Sequence, residues 1–413
     1  MLALIALRNL SRNRRRTLLS LLVVSVGTAG LLLTAGFVRY SFDGLRDAII
    51  EGGLGHLEVT PALDGTSGTS LTTRSGLPPG LSNWRETRTA IEGRPYVKAA
   101  GAAVQFAGVA TNGERSASFL GVAVEPDRER RMGLEVKLRR GVNLPEVEPS
   151  DGEGRVLIGA GLAHALGVSP GDNIAIMTAT ADGSLNALDL TVVGVFSTGF
   201  QDLDDRILKT HVATAQRLLS TDLVTSLVVV LKETKTTREA QSDLRRMLAN
   251  GPVPLSIADW QTRAPYYGQV RALYAGIFAF LGTVVALLVA LSNSNTLLMS
   301  VLERVREFGT LLAIGTSRAQ LGRLLVLEAL WLAFLGGIAG SALGLGLVAL
   351  INALKIEMPP PPAAVDPLKL ALTVVPTDFV WAVAFMAVIL SVSAIAPMLR
   401  IFRLQIVEAL GHV

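Results

Sequence analysis

Cysteine is absent from this chain of 413 residues. Its absence excludes disulfides, thiolate metal sites and a cysteine nucleophile, and is compatible with an oxidising compartment. Histidine is scarce: His56, His164, His211 and His412 are scattered without metal-ligand spacing, and each reads as a surface or loop side chain. Charged residues make up 17% and aromatics 5%, while half the residues are hydrophobic, an unusual balance for a soluble chain. Catalytic signatures are missing as well. No Gly-x-x-x-x-Gly-Lys-Ser/Thr loop is present to cradle phosphates, and neither Gly-x-Ser-x-Gly nor His-Glu-x-x-His occurs. Any ATP that drives this protein is therefore expected to be hydrolysed by another subunit, and the chain reads as a non-enzyme.

What the chain has instead is long apolar runs, at Thr17–Val38, Leu273–Leu291, Leu324–Leu350 and Phe379–Ala396. About 20 apolar residues in a helix match the ~30 Å hydrocarbon core of a bilayer. None of the runs carries Lys or Arg in its middle. The expected fold class is an α-helical membrane protein with four transmembrane helices and a large mixed α/β domain inserted between the first two. The expected boundaries are a basic interfacial helix at 1–16, spans at 17–42, 266–298, 321–352 and 376–399, the large domain at 43–265, a loop at 299–320, a second loop at 353–375 and a tail at 400–413.

Charge placement orients these spans. Arg8, Arg12, Arg14, Arg15 and Arg16 precede the first; Arg304, Arg306, Arg318 and Arg323 lie between the second and third; Arg400 and Arg403 follow the fourth. Lys355 and Lys369 in the remaining loop are offset by Glu357 and Asp366. By the positive-inside rule both termini and the 299–320 loop face the cytoplasm, leaving the large domain outside. The first run exceeds the apolar stretch of a signal peptide and lacks a small-x-small cleavage site, so it reads as an uncleaved anchor. Arg12–Arg16, set against a span, is an orientation and headgroup signal rather than a nucleic-acid patch. Leu4, Ile5, Leu7 and Leu10 against Arg8 and Arg12 predict a short interfacial helix.

In the large domain, β-rich stretches at Leu57–Thr60, Val104–Thr111, Ser118–Val124, Arg155–Ile158, Asn173–Thr178, Leu188–Phe196 and Ser226–Leu231 are bounded by Gly, Pro and Asp turns. Helices are predicted at Gly161–Leu166, Val212–Leu219 and Thr237–Leu248. The acidic and basic run Asp127–Arg131 reads as a solvated face, and Asp202, Asp204 and Asp205 as a turn rather than a metal site.

The sharpest signal lies between the second and third spans, in Glu303-Arg-Val-Arg-Glu-Phe-Gly-Thr-Leu-Leu-Ala-Ile-Gly-Thr-Ser-Arg-Ala-Gln. It predicts a short helix with Phe308, Leu311, Leu312 and Ile314 apolar, Gly315 at its C-terminal cap, and a Ser317/Gln320 capping box opening the next helix. Such a helix either lies in the interface or docks in a groove on a partner.

This stretch, with Glu328 in the following span, resembles the hallmark of FtsX/MacB-type ABC transporter permeases. Ile5–Leu19 resembles that family's approach to its first span, and Pro397–Arg400 with Val407–Leu410 its C-terminal exit. Val156-Leu-Ile-Gly, Leu162-Ala, Leu166-Gly-Val, Gly171-Asp and Leu190-Thr-Val-Val-Gly-Val-Phe resemble its periplasmic core domain. Gly55-His-Leu-Glu-Val and Phe119–Glu129 are similar to the lipoprotein-releasing branch; Pro78-Pro79 is the candidate for that branch's chaperone-binding hook.

The resemblance implies a multi-pass protein of the bacterial inner membrane that turns ATP-driven motion of a partner into work outside. It implies a coupling helix carried by Glu303, Arg304, Arg306, Glu307, Phe308, Leu311, Leu312 and Gly315. It also implies a dimer of ABC ATPase subunits holding ATP and Mg, a second permease, membrane lipids, a lipoprotein or other hydrophobic cargo and a periplasmic chaperone or adaptor. This chain itself would bind no cofactor, metal or nucleic acid. Acyl chains would pass between spans near Phe37, Val38, Tyr40, Phe42, Tyr267, Tyr274 and Phe278, with Tyr266 and Phe280 alongside. Glu328 is expected to serve structure, paired with Arg323 or Arg304, rather than to relay protons; Asn293, Ser294, Asn295 and Thr296 are expected to bond between helices. Two alternatives stay open: a MacB-like efflux permease, whose ATPase is fused to the N-terminus and is not seen in this sequence, and an FtsX-like regulator of a cell-wall hydrolase.

Overall fold

The computed structural model describes residues 2–12, 14–62, 80–148, 154–249, 251, 254–358 and 368–403. The Pro78-Pro79 candidate, Val407–Leu410 and His412 lie outside them. The chain forms two compact units, a membrane unit of Met1–Asp43, Gln269–Met358 and Lys369–Val413, and an inserted unit built mainly of Gly44–Gly268.

In the membrane unit an amphipathic helix, Leu2–Arg12, precedes a first span helix, Arg14–Ile49. The second span helix is Pro265–Glu303, the third Arg318–Leu354, and the fourth Pro376–Ser393 followed by Ile395–Phe402. Among the described residues these four are the helices long and apolar enough to cross a membrane. Lipid is as apolar as leucine, so such helices associate by close packing rather than by the hydrophobic effect. The third span supplies that closeness with glycines. Gly336, Gly340 and Gly344, four residues apart on one face, meet Val24, Ser25, Thr28, Ala29 and Leu32 of the first span. A Cβ on Gly340 would stand 2.5 Å from the Ser25 carbonyl oxygen, so no larger residue fits without moving backbone. Gly337 faces Val383 of the fourth span.

Polar side chains tie the helices further. Asn293 Nδ2 donates to Ser393 Oγ at 2.6 Å, linking the second and fourth spans. Arg39 pairs with Asp378 at 2.8 Å between the first and fourth. Thr296 instead bonds back to the Ser292 carbonyl within its own helix. The second span is the most exposed, with 6% of its apolar stretch buried against 28–33% for the others.

Among its described residues the inserted unit holds ten strands: β1 (Leu57–Pro61), β2 (Val97–Thr111), β3 (Ser116–Val124), β4 (Lys137–Gly141), β5 (Gly154–Gly159), β6 (Asn173–Ala179), β7 (Leu185–Ser197), β8 (Ile207–His211), β9 (Ser226–Leu231) and β10 (Leu255–Asp259). Their order is β10-β1-β9-β2-β3-β8-β5-β7-β4, and β6 pairs with both β2 and β7. The path β2-β3-β8-β5-β7-β6 therefore returns to β2, a closed ring of six strands. Closure removes sheet edges and leaves an interior for side chains to fill, here Phe119, Val156, Ile158, Ile174, Ile176 and Leu190 among a larger buried cluster. Gly108 permits the closing contact, because a Cβ there would lie 2.1 Å from the Met177 carbonyl oxygen of β6.

Helices Val212–Leu219 and Thr237–Leu248 run where the sequence predicts them. Strand β2 starts seven residues earlier than its β-branched pattern suggests. Its Ala99–Ala103 half, poor in strand formers, is held by pairing with β9 and by Met132, whose Cε would lie 2.6 Å from a Cβ on Gly101. The Asp127–Arg131 run is a solvated face only in part, since Arg130 and Arg131 are exposed but Glu129 is not. It forms helix Pro126–Met132, in which Glu129 is buried and ion-paired with buried Lys209 of β8, and Arg128 meets Glu92 at 2.6 Å. The partners lie far off in sequence, so local patterning hid them. Asp204 is likewise internal. Its carboxylate accepts from Ser197 Oγ at 2.6 Å and from the Thr198 amide and hydroxyl at 2.7 Å.

Candidate functional site

The segment between the second and third spans forms helix Val305–Ala313. Gly315 ends it at φ 103°, its amide bonded to the Leu312 carbonyl, a conformation that favours glycine. Ser317 then caps the third span. The Gln320 amide donates to Ser317 Oγ, and Gln320 Oε1 accepts from the Ser317 amide at 2.9 Å.

One face of this short helix is anchored. Phe308, 1% exposed, packs among Val301, Leu321, Leu325 and Ile401, with Leu312 half-buried beside it. Arg304 stacks over the Phe308 ring at 5.2 Å. The other face is open: Leu311 is exposed, Arg306 is exposed, and Ile314 is 78% exposed.

The end of the second span and the anchored helix are tied to the N-terminal elements by charge. Arg16 grips Glu303 with two hydrogen bonds, 2.6 and 2.8 Å. Arg12 pairs with Glu307, which also accepts from Arg304 at 2.8 Å. These bonds, first from Arg304 and then from Arg12, hold the Glu307 carboxyl below the usual carboxylate range. Glu328 of the third span is 4% exposed; it accepts from Asn9 Nδ2 at 2.7 Å and lies 3.6 Å from Arg304. Its cationic neighbour is thus Arg304, and an amide on the amphipathic helix completes its shell. A buried carboxylate is tolerable when paired and hydrogen-bonded in this way. Reading the basic N-terminus as an orientation signal alone overlooked this use of Arg12 and Arg16. The available signal was the complementary spacing of four, Arg12/Arg16 against Glu303/Glu307.

Aromatic residues of the first and second spans meet one another. Phe37 meets Phe278 edge-on at 6.5 Å, Phe42 meets Tyr274 at 5.9 Å, and Tyr274 lies 6.0 Å from Phe278. First and second spans therefore share one aromatic cluster. Val38 and Tyr40 are half-buried on the first span. Tyr267 belongs to the inserted unit, where it packs on Trp260 at 4.8 Å. Tyr266 and Phe280 are exposed.

Fold and site define a four-span membrane protein with an α/β domain inserted after its first span and a charged helix anchored between its second and third. The family model for the MacB-like periplasmic core domain matches residues 17–247, and that for the FtsX-like permease C-terminal region matches residues 276–406. The chain belongs to the family of the MacB-like periplasmic core domain and carries an FtsX-like permease C-terminal region after it; it spans under two thirds of the length of the first curated relatives it matches. Among its relatives is the lipoprotein-releasing system transmembrane protein LolC of Xylella fastidiosa, 24% identical over 81% of this chain and 79% of that protein. LolC of Neisseria meningitidis is 24% identical over 64% of each chain. The macrolide export ATP-binding/permease protein MacB of Bdellovibrio bacteriovorus is 28% identical over 41% of this chain but only 28% of its own length. The solved periplasmic region of MacB from Actinobacillus actinomycetemcomitans covers 52% of this chain at a TM-score of 0.38 and 15% identity.

Proposed function

We propose that this permease works as a mechanical transmitter in the bacterial inner membrane, with its termini and the Val305–Ala313 helix in the cytoplasm and the inserted domain in the periplasm. A separate pair of ABC ATPase subunits binds ATP and Mg and docks on the open face of that helix. The carrying observation is its two-sided construction. Buried Phe308 joins it to the second, third and fourth spans and Arg12–Glu307 joins it to the amphipathic helix, while Leu311, Ile314 and Arg306 are exposed. A push on the outer face therefore has a path to the amphipathic helix through Arg12–Glu307, and to the first span by way of the second span, which Arg16–Glu303 ties to it. The first and second span helices continue to Ile49 and from Pro265, a few residues into the inserted unit, so span movement has a direct path to that domain.

We further propose that the cargo is lipidated, with lipoprotein release the favoured activity. Alignment with LolC running across 81% of the chain supports this reading over efflux. The joint aromatic cluster of the first two spans supports it too, as a place for acyl chains between this permease and a second one. Moving a triacyl anchor into water exposes dozens of methylenes at ~0.8 kcal/mol each, which accounts for the need for ATP and a shielding chaperone.

The test is purification of the tagged chain in mild detergent with mass spectrometry of everything retained. An ABC ATPase with triacylated lipoproteins is the expected result. An ATPase with a periplasmic adaptor or a wall hydrolase would replace lipoprotein release by efflux or regulation, and no ATPase under complex-preserving conditions would overturn the transmission mechanism.

A further inference from the structure

A small cavity of about 40 Å³ lies inside the membrane unit, where the amphipathic helix, the start of the first span, the end of the second and the third meet. Each of these elements gives it a polar side chain: Asn9, then Thr17 and Ser20, then Thr296, then Glu328. The lining hydroxyls are not alike. Thr17 and Thr296 donate to the Leu10 and Ser292 carbonyls at 2.8 and 2.9 Å. Ser20 is 4% exposed, and its Oγ is buried with no hydrogen-bond partner among the described residues. A hydroxyl buried in that state costs free energy, and folded proteins satisfy such groups with protein atoms or ordered water. Glu328 accepts from Asn9 Nδ2 at 2.7 Å and lies 3.6 Å from Arg304. A carboxylate offers about four lone-pair sites, so it has room for a further donor.

We propose that this cavity is a binding site for water, which bridges Ser20 of the first span to Glu328 of the third. Size and charge together select that occupant. The volume exceeds the roughly 10–15 Å³ that one water requires and is too small for a lipid chain or an organic ligand. The charges in the wall are already matched: Arg16 faces Glu303, and Arg304 faces Glu307 and Glu328. A further ion of either sign would add an unbalanced charge in a poorly solvated place, whereas a neutral molecule that both donates and accepts suits a hydroxyl and a carboxylate. The bridge joins two helices that otherwise pack here through small residues, Gly336 against Val24 and Gly340 against Ser25. A water-mediated bond is nearly as favourable as a direct one, so the first span gains a polar tie to the carboxylate that Asn9 of the amphipathic helix already holds.

The test is X-ray hydroxyl-radical labelling of the full chain in detergent, in isotopically labelled water, read by mass spectrometry. Radicals form on bound water, so a buried side chain beside one is labelled. Leu332 and Leu325 are third-span leucines that are 2% and 1% exposed, and of the two Leu332 lines the cavity while Leu325 packs on Phe308. Leu332 is expected to be labelled several-fold faster than Leu325 in the wild type. Ser20→Val, which fills the space and removes the hydroxyl, should bring Leu332 down to the Leu325 rate. Ser20→Ala should lower the melting temperature by a few degrees, because a bridge is lost; in a dry cavity the same change would remove an unsatisfied hydroxyl and raise it. Equal labelling of the two leucines in the wild type, unchanged labelling in Ser20→Val, or a raised or unchanged melting temperature in Ser20→Ala would each overturn the proposal. Loss of Leu332 labelling on adding sodium chloride would show an ion in the site and overturn it as well. The wild-type comparison stands without either variant, and a size-exclusion profile matching wild type shows that each variant is folded.

Discussion

Arg16 and Glu303, 287 residues apart, meet in a two-pronged ion pair that joins the start of the first span to the end of the second. Both side chains are partly exposed, and such pairs add little to stability by themselves. The geometry gives the pair a different task. Planar guanidinium against carboxylate resists rotation, so the two spans are coupled at the base where motion is expected to enter.

Arg16→Glu or Glu303→Arg alone should leave thermal stability nearly unchanged and reduce cargo-stimulated ATPase activity of the assembled complex several-fold. The combined charge swap should restore much of that activity. Equal activity in all three variants would show that the pair does not transmit motion.

Phe308 and Ile314 separate anchoring from docking on one short helix. Phe308→Ala removes a buried ring and should cost about 3 kcal/mol of stability, read as a lowered melting temperature of the purified chain. Ile314→Asp changes an exposed side chain, so melting should be unaffected while ATPase subunits fail to co-purify. Normal ATPase binding by Ile314→Asp would place the docking face elsewhere.

Gly340 and Gly346 lie in the same helix, but only the first is pressed against a neighbour. A Cβ at Gly340 would meet the Ser25 carbonyl at 2.5 Å, whereas nothing lies within 4 Å of one at Gly346. Gly340→Ala should destabilise the membrane unit by about 1–3 kcal/mol, the range for overpacking. Gly346→Ala should be neutral or slightly stabilising through its helix propensity. Thermal unfolding in detergent distinguishes them, and equal effects would contradict the close packing of first and third spans.

His56 makes the inserted unit sensitive to acid. Its ring is buried; Nδ1 accepts from the Leu231 amide at 3.3 Å, and Nε2 lies 3.0 Å from Thr234 Oγ1. Burial, with Arg46 adding repulsion, lowers its pKa to about 4. The unfolded chain takes up this proton near pH 6.5, whereas the folded one resists until about pH 4. Stability is therefore full above about pH 6.5 and falls as pH drops towards 4, by about 3 kcal/mol for this group. His56→Gln should flatten the fall of melting temperature over that interval; an unchanged slope would assign the acid sensitivity to other groups.

Much of this protein was legible before its fold. Span number and the position of the inserted domain follow from apolar runs, because the bilayer imposes a length that composition cannot disguise. The short helix after the second span was readable from Gly315 and the Ser317/Gln320 box, since caps are local chemistry. The packing of Gly336, Gly340 and Gly344 on the first span came only from the fold, because a sequence does not say which partner helix a glycine meets. Strand β8 was missed because Ile207–His211 is short and carries Lys209, whose charge is acceptable inside only through Glu129.

The sequence by itself determined a four-span protein of the FtsX/MacB type, because hydropathy, capping and short motifs act over a few residues and survive without neighbours. The tertiary structure alone decided that β6 closes a six-stranded ring onto β2, that the third span's glycines meet the first, and that Arg12 and Arg16 hold Glu307 and Glu303. Each of those is a contact between residues tens to hundreds of positions apart. Its energy depends on distance in space, which the order of residues along a chain does not contain.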